Sequence, residues 1–130
     1  MAQPALGVLL KTLRDERRLS LREVAQLAEI DHAYIYRLET GEKEAPSEDV
    51  LTKLIRVLKP PRREADMLRY LAEHRDTDAA LVTRVLDDPT VSFQIFAAVA
   101  GAAFRGTARP DYGKLIERTR RILNEEDDSE

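Results

Sequence analysis

No cysteine occurs in the chain, so disulfide bonds and thiolate chemistry are excluded, and the composition is compatible with a reducing compartment. Only two histidines are present, His32 and His74, and neither sits in a paired-histidine or HExxH spacing, so no metal site is expected. Glycine-rich phosphate loops are missing, and no glycine elbow surrounds Ser20, Ser47, Ser92 or Ser129. Acidic pairs such as Asp87-Asp88 read as helix caps rather than general acids. The case for an enzyme is therefore close to empty, and no cofactor is expected. The first residues lack a basic stretch followed by an apolar core, so no secretory signal is visible. The longest apolar run, Ile95 to Phe104, falls far short of the ~20 residues a membrane span needs. A cytoplasmic protein with no membrane partner is the expectation.

What the chain does contain is helix. Hydrophobic residues make up 43% of it, enough for a core, and charged residues 35%, as in a soluble and strongly helical protein. At 130 residues it has room for one domain, or one small domain with an appendage. The six prolines and five glycines fall mostly between periodic segments, where helix punctuation belongs. The net charge of −3 is unevenly spread. Residues 1–75 hold 14 Lys/Arg against 13 Asp/Glu, while residues 76–130 hold 7 against 11. Charge alone does not suggest a nucleic-acid partner, and non-specific affinity for one should be modest.

The chain is organised around Ser20 to Gly41, SLREVAQLAEIDHAYIYRLETG. Two short helical patterns stand back to back. Val24, Ala25 and Ala28 mark the inner face of the first, Ile35 and Leu38 that of the second, and Ile30 plugs the gap between them. Ser20 with Glu23 makes a capping box. Asp31 can cap the second helix and Gly41 can end it in a left-handed conformation. A turn of only about three residues forces a steep crossing, which needs a small residue at the contact; Ala25 supplies it. This is the geometry of a helix-turn-helix, whose second helix can enter a major groove.

Around this motif, a helix is predicted from Pro4 to Arg18 with Leu6, Leu9, Leu10 and Leu13 inward. Another follows a cap at Ser47 (Val50, Leu51, Leu54, Ile55, Leu58). Pro60-Pro61 breaks the chain before a helix from Arg62 to about His74 with Met67, Leu68 and Leu71 inward. These five helices close a small bundle over residues 1–75. Arg75 to Asp78 reads as a hinge with a helix cap. Helices are then expected over Ala79–Leu86, over Thr90–Phe104 with Pro89 at its start, and over Asp111–Asn124. Residues 125–130 read as an acidic, disordered tail.

The motif resembles the DNA-binding domain of the phage-repressor class of Cro/Xre-type regulators. Ala25, Ile30, Ile35 and Leu38 match its packing positions, and Leu38-Glu39-Thr40-Gly41 matches its "hydrophobe-Glu-x-Gly" ending. The resemblance covers about residues 5–75 and implies an all-α fold: a five-helix, lambda-repressor-like DNA-binding domain followed by a small helical C-terminal dimerisation region, residues 76–124. Two positions depart from the pattern. Glu29 stands where glycine is usual, and Leu21 stands where a polar residue commonly contacts phosphate. The resemblance also implies an ion pair between Arg14 and Glu39 that ties the first helix to the end of the third, a structural role rather than a DNA contact.

Carried over position by position, the resemblance puts His32, Ala33 and Arg37 at base edges, with Asp31 and Tyr36 beside them. Arg37 is suited to guanine O6 and N7, and Ala33 to a thymine methyl. Arg22, Tyr34, Thr40 and Lys43 are placed for phosphates, together with backbone N–H groups. The alternative is that these are solvated helix-surface residues, or that the tyrosines cover a neighbouring subunit or loop. In the C-terminal half, Phe93, Phe96, Val99, Phe104, Ile116 and Leu123 are the expected dimer interface. Roughly 50 residues are too few for an independent core, and pairing two copies would relieve the shortage. A plain core helix and a ligand pocket are the other readings of Ile95–Phe104. The expected function is a dimeric transcriptional repressor on double-stranded DNA. The rivals are an antitoxin that autoregulates its operon, its C-terminal half gripping a protein partner (a toxin or an antirepressor), and a helical adaptor that binds no DNA.

Overall fold

The computed structural model describes residues 4–42, 45–104 and 110–128, with backbone only for Phe104 and residues 125–128. The regular elements among them are helices: α1 (Ala5–Glu16), α2 (Leu21–Ala28), α3 (His32–Thr40), α4 (Glu48–Leu58), α5 (Arg62–Glu73), α6 (Ala79–Leu86), α7 (Phe93–Phe104) and α8 (Tyr112–Asp128). Polar residues start the helices where the sequence puts them. The side chains of Ser20, Asp31, Ser47 and Asp78 each accept a backbone N–H of the following first turn. Each such cap stabilises its helix by about 1 kcal/mol. Before Pro60-Pro61, α4 ends on Lys59, whose φ of 47° lies in the left-handed region.

The first helix is the hub. It packs against α3, α5 and α6, and Leu9, Leu10 and Leu13 are buried along it. Its contact with α3 depends on Gly7, because a Cβ there would overlap the carbonyl oxygen of Glu39. Gly41 ends α3 at φ 86°, beside Pro4 at the start of α1.

Beyond residue 75 the chain packs back on its own first helices. Buried side chains form one cluster that runs from Ala5 to Ile116. Leu81, Val82 and Val85 are buried on α6, which packs on α1, while α7 packs on α5 and α8 on α7. Arg63 of α5 also donates to the carbonyl oxygens of Asp88 (2.8 Å) and Val91 (2.9 Å). The small C-terminal segment thus meets its shortage of core by covering α1 and α5 of its own chain. Phe96, Val99 and Ile116, expected at a dimer interface, are instead interior (0%, 0% and 5% exposed) and committed to this core. Phe93 is half-buried, edge-on to Tyr70 at 6.2 Å, and Leu123 is half-buried. The Phe104 side chain lies outside the described residues.

Two further boundaries differ from expectation. Helix α7 begins at Phe93 and not next to Pro89, because Asp88-Pro89-Thr90 is a turn. The Asp88 carboxylate accepts the Thr90 N–H at 3.0 Å and its hydroxyl at 2.6 Å. Ser92 then accepts the Ile95 N–H at 3.2 Å and so acts as the cap. At the other end, α8 continues to Asp128 where a disordered tail is expected. The acidic residues prolong an existing helix, and glutamate is a good helix former once the nucleus is in place.

Candidate nucleic-acid interface

Helices α2 and α3 and the turn between them carry the residues singled out in the sequence. The capping box is complete: the Ser20 hydroxyl accepts the Glu23 N–H at 3.1 Å, and the Glu23 carboxylate accepts the Ser20 N–H at 3.0 Å. At the turn Glu29 takes φ 58° and ψ 45°, the left-handed conformation for which glycine is the usual choice. The Ile30 N–H reaches back to the Ala25 carbonyl at 2.9 Å, closing the end of α2. Ala25 and Ala28 are buried at this crossing, as its steepness requires.

Helix α3 is fixed from below. Ile35 and Leu38 are buried, and Glu39 is the acidic residue beneath them, 5% exposed. Arg14 grips Glu39 with two parallel bonds, Nε to Oε2 at 3.0 Å and Nη2 to Oε1 at 3.1 Å, and its Nη1 donates to the Leu19 carbonyl at 3.1 Å. Hydrogen bonding to Glu39, partly offset by burial, raises the Arg14 guanidinium above its already high value. Fork-to-carboxylate pairing of this kind fixes orientation as well as charge.

At 100° per residue, the face of α3 opposite Ile35 and Leu38 carries Ala33, Tyr36, Arg37 and Thr40. Tyr36 is 51% exposed, Arg37 and His32 are exposed, and Ala33, Tyr34 and Thr40 are half-buried. The Arg37 guanidinium makes no ion pair with a described residue, so its five donors are available. Asp31 is committed to the helix, accepting the Ala33 N–H at 3.1 Å, and lies 3.7 Å from His32 Nδ1. The Thr40 hydroxyl donates to the Arg37 carbonyl at 3.4 Å. Tyr34 packs against the core edge at the flank of the helix.

A shallow groove joins the two helices, lined by Arg22, Gln26, Glu29, Ile30, Asp31 and His32. It brings the expected phosphate residue Arg22 to the same surface as His32. Lys43 lies outside the described residues. Gln26, not singled out in the sequence, lines the same groove. It is exposed, four residues after Arg22 on the polar face of α2, and that i, i+4 spacing was the available signal. Among the described residues no cluster of three His, Cys, Asp or Glu side chains is placed to hold a metal ion. No helix among them is long and apolar enough to cross a membrane.

This arrangement can present a rigid, capped helix to a groove, with the Arg37 guanidinium, which pairs with no described residue, and the small Ala33 on its outward face. No match to the chain was found among curated proteins or among solved structures. Residues 5–68 match the family model of a helix-turn-helix domain. That span takes in α1 to α4 and most of α5, and it includes α1 and α2, the helices that pack on α3. This match, to a helix-turn-helix domain, suggests a DNA-binding regulator.

Proposed function

We propose that the chain is a sequence-specific transcriptional regulator, a repressor that binds as a homodimer to a pseudo-palindromic operator. One observation carries the reading: the exposed Arg37, which pairs with no described residue, on the outward face of α3, braced by the Arg14–Glu39 pair. Arg37 reads guanine through O6 and N7, Ala33 meets a thymine methyl, and His32, Asp31 and Tyr36 flank them. Arg22, Tyr34, Thr40 and Lys43 hold phosphates. Two copies set their α3 helices in successive major grooves, with half-site centres about 34 Å apart or a multiple of that. The second copy would dock on the strip of α7 formed by Gln94, Ala98, Gly101 and Ala102, which is exposed.

The test is binding of labelled duplexes drawn from the DNA flanking the gene, screened for an inverted repeat. A regulator binds the repeat in a salt-dependent manner. Replacing Arg37 with Ala should cost about 10- to 100-fold there, concentrated at one base step, as loss of a bidentate base contact does. An adaptor that reuses the bundle would show neither effect. Co-purification of a small basic protein encoded next door would favour the antitoxin.

A further inference from the structure

A second cationic surface lies between α6 and α8. An open groove of about 1070 Å³ there is lined by Arg84 of α6 and by Asp111, Lys114, Glu117, Arg118 and Arg121 from α8 and its cap. Lys114, Arg118 and Arg121 follow i, i+4, i+7 spacing, so they share one face and span about 10 Å of helix at 1.5 Å per residue. Arg84 reaches them because position 113 has no side chain; a Cβ on Gly113 would come within 2.8 Å of Arg84 Nη2. None of the four cations forms an ion pair with a described residue. Asp111 is occupied in capping α8, where it accepts the Lys114 N–H at 3.2 Å. The groove is therefore net positive within a half of the chain that holds 7 Lys/Arg against 11 Asp/Glu.

The chemistry of the lining selects the occupant. Small-molecule sites are enclosed pockets of about 300–1,000 Å³, whereas this groove is open to solvent and carries four cationic head groups along its walls. A protein partner needs buried aromatic or aliphatic anchors at its centre, and the groove offers only Ile122, 48% exposed. Three guanidinium forks and an ammonium in a row suit successive phosphates, which each fork can take with two hydrogen bonds. We propose that the α6–α8 groove binds the phosphodiester backbone of duplex DNA, a sequence-independent contact additional to that of α3. The inference rests on the reading of the chain as a DNA binder, and its test separates the two.

The full chain is titrated by fluorescence anisotropy against a random-sequence duplex of about 40 base pairs, between about 50 and 200 mM salt. The combined variant Lys114→Gln/Arg118→Gln/Arg121→Gln and the single variant Arg37→Ala are run beside it. All four positions are exposed, and circular dichroism checks that the helices persist. The proposal expects the combined variant to bind about 10-fold or more weakly at the lowest salt. The slope of log K against log salt should shrink by about 0.9 per lost phosphate contact, or about 2 to 3 in all. Unchanged affinity and slope in that variant, with a loss in Arg37→Ala, would overturn the groove and keep α3. The reverse pattern would keep the groove as the sequence-independent contact and leave the base reading of α3 to the operator repeat, where Arg37→Ala alone should lose affinity. A wild-type chain that binds no duplex overturns both. A variant that changes oligomeric state at unchanged DNA affinity assigns the groove to a second copy and also overturns the proposal.

Discussion

Gly7 and Arg14 show how little freedom the contact between α1 and α3 allows. A methyl group on Gly7 has no space to enter, since the Glu39 carbonyl is backbone and cannot swing aside. Gly7→Ala should therefore destabilise the fold by about 2 kcal/mol or more despite its better helix propensity, within the usual range for overpacking. A urea melt reads this directly, and a gain in stability would refute the close approach. Arg14→Ala leaves Glu39 buried and unpaired and should cost about 3 kcal/mol, while the base preference of whatever DNA still binds is unchanged. A shift in base preference without a loss of stability would make Arg14 a reading residue instead. The two positions differ in legibility. Glu39 and Arg14 were paired by resemblance alone, and Gly7 inside an apolar stripe gave no sign that backbone would press on it.

At the scale of single elements, caps were the readable part. Ser20, Asp31, Ser47 and Asp78 act as their residue types require, because the interaction is local and spans at most three residues. Glu29 was legible as well, since the tight turn demands a left-handed residue there whatever its type. Glu29→Gly should raise stability by about 1 kcal/mol by relieving that conformation, seen as a higher urea midpoint; no change would mean that the glutamate side chain compensates. The start of α7 was misread because Pro89 fits two local patterns, the first turn of a helix and the second position of a turn. Asp88 decides between them. Thr90, first through its hydroxyl and then through its N–H, holds the Asp88 carboxyl below the usual carboxylate range. A carboxylate depressed in the folded state stabilises it above the ordinary range, and that contribution fades as pH falls through the folded-state value. Thr90→Ala removes the hydroxyl and should move the Asp88 midpoint upward, followed by carbon NMR of the carboxyl group. An unmoved midpoint would contradict the turn.

At the scale of the molecule, sequence alone leaves open what the C-terminal half packs against. Periodicity shows that Phe96, Val99 and Ile116 face inward, but not whether the surface they meet belongs to the same chain. Here it does, and the junction of α6 with α1 makes the buried cluster continuous from Ala5 to Ile116. Heating should therefore give one transition, coincident by circular dichroism and tyrosine fluorescence. Two separated transitions would show that residues 76–128 fold independently. A chain ended at residue 75 should be markedly less stable than the whole, because the α1 surface under Leu81, Val82 and Val85 becomes exposed.

The continuous scaffold holds α3 with its apolar side down and Arg37 outward, and that placement is the centre of the account. Its most direct measurement is a double-mutant cycle on a bound duplex, crossing Arg37→Ala with each guanine of the half-site in turn. The predicted result is one guanine whose replacement costs the wild type about 10- to 100-fold and costs Arg37→Ala almost nothing. If every guanine is equally important with and without Arg37, the exposed face of α3 does not read DNA and the regulator reading is wrong.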